Sequence, residues 1–165
     1  MILLELIPKK YFITSGTAVS SVSDLNAFDK ALIEAGIGEQ NLLCVSSVIP
    51  DGSKMIPPAE LPMGAVTHCV LAQMRGSEGE MISSGIAYAL RKDGKGGYVA
   101  EGHLYGSKDS LKDVLRWKME EMGRIRNVEL NKIQYEITEL SIPKDHYGAC
   151  VAALVFTDYG DKCTR

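Results

Sequence analysis

The chain has 165 residues, of which 45% are hydrophobic and 24% charged, and its net charge at pH 7 is −3. This balance is typical of one globular domain with a sizeable core. There is no basic block, so we expect no nucleic-acid partner, and no apolar stretch approaches the roughly 20 residues of a membrane helix. The apolar segment 1–8 lacks the basic start of a signal peptide, so we expect it to belong to the fold of a cytoplasmic protein.

The beginning of the chain predicts a strand and a helix. A loose alternation over residues 10–20 indicates a strand that is broken near Gly16. The pattern then predicts a helix over residues 23–35, with Ser21 or Ser23 as its N-terminal cap. Four of its residues recur with the helical period and form the predicted core stripe: Leu25, Phe28, Leu32 and Ala35.

The next segment, residues 41–50, reads Asn-Leu-Leu-Cys-Val-Ser-Ser-Val-Ile-Pro. Its length and its β-branched residues favour a buried strand that ends before Pro50. Successive side chains of a strand point to opposite faces, so Ser46 and Ser47 would face different ways. Hydroxyls contribute little to packing in a buried strand. They either bond to neighbouring backbone or serve a function.

The rest of the chain predicts mainly strands. A loop rich in proline and glycine covers residues 50–65, and a second helix covers 108–125 with Ser107 or Ser110 as its cap. The predicted strands lie near residues 66–74, 81–90, 98–105, 132–142 and 148–157, with a hairpin turn at 93–97 and a frayed tail after residue 158. About seven strands and two helices in this order indicate an α+β fold with antiparallel sheet and outer helices.

The four cysteines, at positions 44, 69, 150 and 163, are too far apart to have zinc-ligand spacing. We therefore expect no metal site, and we expect buried free thiols under reducing conditions. Cys44 lies close to the serine pair, which leaves open a catalytic thiol at this position.

Familiar nucleophile and phosphate-binding motifs are absent. No Gly-x-Ser-x-Gly elbow surrounds Ser46 or Ser47, and there is no Walker loop. His68, His103 and His146 lack metal-ligand spacing, and we interpret them as hydrogen-bonded or exposed residues. A Ser/His/Asp hydrolase stays open as an alternative, because such triads are assembled in space.

Two carboxylates are candidates for function. Asp29 follows Leu25 by four residues, so the two lie on one side of the helix. Asp29 is either a solvated residue at the edge of the core stripe or a pocket carboxylate that binds a guanidinium. Glu101 lies inside the apolar segment 98–102. It is either an outward-facing residue or a buried acid that transfers protons.

In their order and spacing, several segments resemble those of the pyruvoyl-dependent arginine decarboxylases. The matching segments are LNAFD (25–29) with AGIG (35–38), NL (41–42) with VSSVIP (45–50), LPMGA (61–65), GE (79–80) with IS (82–83), and Glu101 in its strand. The resemblance extends from Tyr11 to Phe156 and weakens at Glu39-Gln40 and after residue 158.

The resemblance implies that the chain cleaves itself. Ser47 Oγ would attack the carbonyl of Ser46, and the side chain of Asn41 would stabilise the oxyanion. The products would be a β chain of residues 1–46 and an α chain of residues 47–165. The α chain would begin with a pyruvoyl group made from Ser47.

The resemblance also implies the reaction of the mature enzyme. The pyruvoyl ketone would form a Schiff base with L-arginine, and Glu101 would protonate the carbanion left after CO2 departs, which gives agmatine, a polyamine precursor. Whether agmatine then serves polyamine synthesis or acid resistance stays open. Asp29 would bind the guanidinium, with Leu25 beside the alkyl stem and with Gly38 and Ser47 also in the substrate site.

The family's architecture is a four-layer αββα sandwich, assembled as a trimer or a dimer of trimers with sites between subunits. Two alternatives accompany this expectation. The first is a pyruvoyl decarboxylase for histidine or aspartate. The second is an unprocessed trimeric paralogue that binds a small metabolite, in which Ser46 and Ser47 are ordinary strand residues.

Overall fold

The computed structural model describes residues 6–160. Residues 1–5 and Cys163, for which the sequence predicts a folded start and a buried thiol, lie outside these described residues. In chain order the elements are β1 Lys10–Ser20, α1 Asp24–Glu34, β2 Asn41–Cys44, β3 Val48–Ile49, β4 Lys54–Met55, β5 Val66–Ser77, β6 Met81–Leu90, β7 Gly97–Tyr105, α2 Lys108–Arg126, β8 Gln134–Ser141 and β9 Tyr147–Thr157.

The strands form two mainly antiparallel sheets. Sheet A has the order β2-β5-β9-β1-β4, and sheet B has the order β3-β7-β6-β8. The facing sides of the sheets enclose two apolar clusters. Helix α1 covers the other side of sheet A, and α2 covers the other side of sheet B. The predicted α+β class and αββα sandwich are thus confirmed.

Helix α1 lies very close to sheet A. Its side toward the sheet consists of the buried alanines 27, 31 and 35, and Gly16 of β1 has no room for a side chain because a Cβ there would collide with the backbone of Ala31. Of the predicted stripe, Phe28 and Leu32 are half-buried, whereas Leu25 is 60% exposed, so its placement in the core was wrong. The predicted break at Gly16 is also wrong, because β1 runs unbroken through it. Both errors have one cause: the alanines of α1 and Gly16 of β1 are small so that the helix can pack closely on the strand.

Local signals at helix ends and turns predicted the structure well. Ser23 caps α1 by accepting a hydrogen bond from the Asn26 backbone at 3.1 Å, and Ser107 caps α2 by accepting one from Ser110. The predicted hairpin turn is confirmed, with Gly94 at a φ of 76°. The short parallel strand β4 falls inside the predicted loop 50–65, because its pairing with β1 is a contact across the fold.

The prediction of one buried strand over residues 41–49 is wrong. β2 lies at the edge of sheet A beside β5, whereas β3 lies at the edge of sheet B beside β7. Of the stretch, Ile49 is buried and most other residues are exposed. The chain changes layers here, so it pairs with one neighbour in each sheet and cannot continue as a single strand.

Helix α2 packs on β6 and β7 through an apolar stripe that includes the buried side chains of Leu111, Leu115 and Met119. Each such side chain contributes about 1.5–3 kcal/mol through burial. Within residues 6–160, no helix is long and apolar enough to cross a membrane. The helix also borders the candidate site on one side.

Candidate active site

The Ser46–Ser47 peptide bond lies where the chain passes from sheet A to sheet B. On one side of it, the Val45 N–H donates to the carbonyl of Cys69 in sheet A at 3.0 Å. On the other side, the Ser47 carbonyl accepts a hydrogen bond from the Val99 N–H in sheet B, also at 3.0 Å. Because both flanks are held by different sheets, this peptide bond has a defined position at the rim of the sandwich.

The carbonyl of Ser46 is held by a tight turn. It accepts a hydrogen bond from the Val48 N–H at 3.0 Å, which closes a three-residue γ-turn around Ser47. A donor at a carbonyl oxygen stabilises the negative charge that develops there when a nucleophile attacks the carbonyl carbon. The turn therefore gives this carbonyl a hydrogen-bond partner suited to an acyl transfer.

The side chain of Ser47 faces Glu101. Its hydroxyl donates to Glu101 Oε2 at 3.4 Å, across 54 positions of sequence. Both residues line a cavity of about 310 Å³, together with Ala100 of β7 and with Lys118, Glu121 and Met122 of α2. The structure thus brings together two residues that the sequence singled out separately.

Glu101 itself is exposed in this chain, so the alternative of a buried acid is wrong. Its backbone is fixed by Lys118, whose Nζ donates to the Glu101 carbonyl at 2.9 Å. Sequence reasoning missed Lys118. The available signal was its position three residues after the buried Leu115, which places it beside the apolar stripe of α2.

Asn41 lies at the start of β2, away from the serine pair. Its amide Nδ2 donates to the carbonyl of Gly64 at 2.9 Å, and its backbone N–H donates to Ala65. An extended strand rises by about 3.3 Å per residue, so roughly 10 Å of β2 lie between Asn41 and Cys44. Within residues 6–160, no hydrogen bond joins Asn41 to Ser46 or Ser47.

The predicted substrate-binding residues lie in another part of the chain. Asp29 and Leu25 are exposed on α1, which covers the outer face of sheet A. Helix α2 lies on the other side of the sandwich. Gly38 follows this helix, where a Cβ would lie 2.8 Å from the Ile33 nitrogen. None of the three residues lines the cavity of Ser47 and Glu101.

The histidines do not complete a hydrolase triad. His68 shares a hydrogen bond with Tyr159, His146 bonds to the Lys144 carbonyl, and His103 is exposed. In the part of the chain that the structure describes, no hydrogen bond connects a histidine to Ser46 or Ser47. The hydrolase alternative therefore has no support from the geometry.

The cysteines only partly follow the prediction of buried thiols. Cys69 and Cys150 are buried as expected, and burial is the main cause that raises the pKa of Cys69 to about 12 and that of Cys150 to about 11. Cys44 is exposed, which contradicts the prediction, because it ends an edge strand.

Comparison with known proteins shows which family this chain belongs to. The family model for pyruvoyl-dependent arginine decarboxylase matches residues 10–161. The chain belongs to the pyruvoyl-dependent arginine decarboxylase family. The resemblance of the separate segments is thereby confirmed, and the chain is a member of a decarboxylase family whose name implies a pyruvoyl cofactor.

Curated relatives of the pyruvoyl-dependent arginine decarboxylase family cover nearly the same length. A protein of this name from Methanopyrus kandleri is 35% identical over 151 residues, which are 91% of this chain and 97% of the relative. Those from Pyrococcus abyssi and Methanothermobacter thermautotrophicus are each 33% identical, over 92% and 90% of this chain and 97% of each relative.

The residues present fit a pyruvoyl group. Such a group is made from a serine of the chain, and Ser47 lies at an accessible turn with its hydroxyl toward a carboxylate and a cavity. Ser47 would carry the group, and the backbone of Val99 would hold the carbonyl that follows it.

Proposed function

We propose that this chain cleaves itself between Ser46 and Ser47 and then converts L-arginine to agmatine and CO2 at the pyruvoyl group formed from Ser47. The observation that carries the proposal is the contact of the Ser47 hydroxyl with Glu101 at 3.4 Å, at the rim where the chain changes sheets. Membership in the arginine decarboxylase family supports the choice of substrate.

Cleavage begins with an acyl shift. Ser47 Oγ attacks the Ser46 carbonyl carbon while the peptide C–N bond breaks, and the hydroxyl proton ends on the freed nitrogen. The resulting ester then loses the Cα proton of Ser47 and the Ser46 carboxylate by elimination. Hydrolysis of the dehydroalanine at position 47 releases ammonia and leaves the pyruvoyl group.

The oxyanion of the first step requires hydrogen-bond donors. The Val48 N–H is one, because it already bonds to the Ser46 oxygen at 3.0 Å. The family resemblance assigns Asn41 as a second donor, although in this chain Asn41 lies at the other end of β2 and has no hydrogen bond to Ser46 or Ser47 among the described residues. Its amide carries two N–H bonds, of which one serves Gly64.

A pyruvoyl ketone supplies an electrophile that condenses with the α-amine of an amino acid and accepts the electron pair released with CO2. The residue of this chain that handles the proton is Glu101. Its carboxyl oxygen lies beside the side chain from which the ketone is made, so it is placed to return a proton to the α-carbon of the substrate. The cavity formed with α2 gives the substrate access to this position.

The guanidinium site is proposed to come from a neighbouring subunit. Asp29, Leu25 and Gly38 belong to the α1 side of the sandwich, whereas Ser47 and Glu101 open toward α2. A single chain does not join these two groups, so we propose a homo-oligomer, a trimer or a dimer of trimers, in which the two sides meet. A carboxylate at position 29 would then pair with the guanidinium through a forked hydrogen bond.

Mass spectrometry of the purified protein tests the cleavage. We expect fragments 1–46 and 47–165, the larger one blocked at its N-terminus and reactive toward carbonyl reagents. Ser47→Ala should stay intact, whereas Ser46→Ala should still cleave, because the reaction uses only the backbone carbonyl of Ser46. An intact wild-type chain after prolonged incubation would refute self-processing and favour the binding paralogue.

Measurement of CO2 release with L-arginine, L-histidine and L-aspartate tests the substrate. We expect CO2 to be released from arginine, with agmatine as the second product. Preferential release from histidine or aspartate would contradict the assignment while leaving the cleavage proposal intact.

Mixed assemblies test whether the site is shared. We expect activity when Ser47→Ala and Asp29→Ala subunits are unfolded and reassembled together in equal amounts. In some sites the Asp29→Ala subunit then supplies position 47, and the Ser47→Ala subunit supplies the carboxylate of Asp29. Random pairing makes about a quarter of the interfaces complete in a cyclic oligomer. Activity at low arginine concentration should therefore return to about a quarter of wild type, and no recovery would place Asp29 and Ser47 in one subunit's site.

A further inference from the structure

Cys44 and Cys69 lie directly opposite each other on neighbouring strands. β2 and β5 are parallel, and the register of their pairing places Cys44 against Cys69. Adjacent strands are about 4.8 Å apart. This spacing falls within the range of about 4.4–6.8 Å between Cα atoms that a disulfide bridges.

Their side chains also point to the same side of the sheet. Leu42, two residues before Cys44, packs on the apolar cluster beneath α1, and Cys69 is part of that cluster. Side chains two positions apart in a strand share a face, so the thiol of Cys44 lies on the face of Cys69. Burial, and after it the neighbouring Cys44 thiol, raise the pKa of Cys69 to about 12.

The two thiols differ in access to solvent. Cys44 is exposed, Cys69 is buried, and both are free in this structure. An oxidant in solution therefore reaches Cys44 first, and among residues 6–160 the thiol that faces it is that of Cys69. An exposed thiol with a partner that can resolve its oxidised form is the arrangement of a reversible redox site.

We propose that Cys44 and Cys69 form a reversible disulfide, with a hydroperoxide as the oxidant. Cys44 as the thiolate is oxidised to a sulfenic acid, and the peroxide releases its first oxygen as hydroxide. Sγ of Cys69 then attacks the Cys44 sulfur, and the second hydroxide leaves. In total, two thiols lose two electrons and two protons, and one hydrogen peroxide becomes two waters.

The bond has a special consequence if the chain cleaves as proposed above, on which this step rests. Cys44 belongs to fragment 1–46, two positions before its last residue, whereas Cys69 belongs to fragment 47–165. The disulfide would therefore join the two fragments covalently. It would also anchor the end of β2, an edge strand of four residues that loses its covalent connection to β3 when the chain is cut.

The test uses the full chain with Cys163→Ser, so that this cysteine cannot compete. Two forms are oxidised with hydrogen peroxide, one with Ser47 and one with Ser47→Ala. Free thiols are then alkylated, and digested peptides are analysed by mass spectrometry. In the Ser47→Ala form we expect the peptides of Cys44 and Cys69 to be linked and to separate with dithiothreitol. Cys44→Ser should abolish the link, and Cys150→Ser, the matched control, should not.

In the form with Ser47, we expect one linked species on a non-reducing denaturing gel and two fragments after reduction. If both thiols of the Ser47→Ala chain are still alkylated after oxidation, or if Cys44 ends as a sulfinic acid, the disulfide proposal is overturned. If the linked peptides form but the Ser47 chain is one piece even after reduction, the disulfide stands and self-cleavage fails.

Discussion

Gly96 supports the position of the segment that follows the proposed cleavage site. It lies in the hairpin turn at a φ of 79°, and a Cβ on it would overlap the Ile49 carbonyl oxygen and lie 3.1 Å from the Asp51 nitrogen. Gly94, in the same turn, has a similar φ of 76° but has nothing within 4 Å of its would-be Cβ. Gly94→Ala is therefore a matched control for Gly96→Ala.

The expected magnitudes follow from this difference. Alanine at a positive φ costs about 1–2 kcal/mol at either position. Gly96→Ala adds an overlap with backbone, and crowding of a packed region costs roughly a further 1–3 kcal/mol. To relieve the overlap, the Ile49 backbone must move by roughly 1 Å. A displacement of that size at a reacting group can slow a reaction about 100-fold. Since Ile49 belongs to β3, which directly follows Ser47, the serine should move with it.

Two assays measure the effect. Urea unfolding in the Ser47→Ala background, where every chain stays whole, should show Gly96→Ala to be about 1–3 kcal/mol less stable than Gly94→Ala. Mass spectrometry in the Ser47 background should show cleavage about 10–100-fold slower in Gly96→Ala, with Gly94→Ala near wild type. Equal stabilities and equal cleavage rates for the two variants would refute the reasoning.

Three substitutions test the site, and a pH profile tests the disulfide. Glu101→Gln should still cleave but decarboxylate about 10²–10⁴-fold more slowly, because the proton donor is lost; near-normal turnover would remove Glu101 as the acid. Asn41→Ala should cleave more slowly through loss of an oxyanion donor, and an unchanged rate would assign the oxyanion to the Val48 N–H alone. Asp29→Asn should raise KM for arginine about 10–100-fold, as expected for loss of a charged hydrogen bond worth roughly 1.5–3 kcal/mol, whereas an unchanged KM would place guanidinium recognition elsewhere. Conversion of a Cys44 sulfenic acid into the Cys44–Cys69 disulfide should accelerate by up to about tenfold per pH unit between pH 7 and 9, because the raised pKa of Cys69 keeps its reactive thiolate scarce there. A flat profile for this step would show that Cys69 is not the attacking thiol.

The sequence predicted the elements that depend on neighbouring residues. Both helices, their serine caps and the glycine hairpin turn follow from local geometry, and the strands β5 to β9 were predicted to within a few residues. The errors lie where long-range contacts compete with local pattern. Leu25 matched the helical period of a core position, yet sheet A accepts only the small side chains of Ala27 and Ala31 at its close contact with α1.

The site shows the same division between local and long-range information. The order of residues along the chain, together with the family resemblance, was enough to single out Ser47, Glu101 and Asp29. Only the tertiary structure decided that 41–49 divides between two sheets, so that the Ser46–Ser47 bond lies at their rim with Ser47 facing Glu101. The same pairing of strands placed Cys44 opposite Cys69. These contacts join residues 25 and 54 positions apart. The pairing of neighbouring strands depends on the register of whole strands, which the local pattern of residues does not encode.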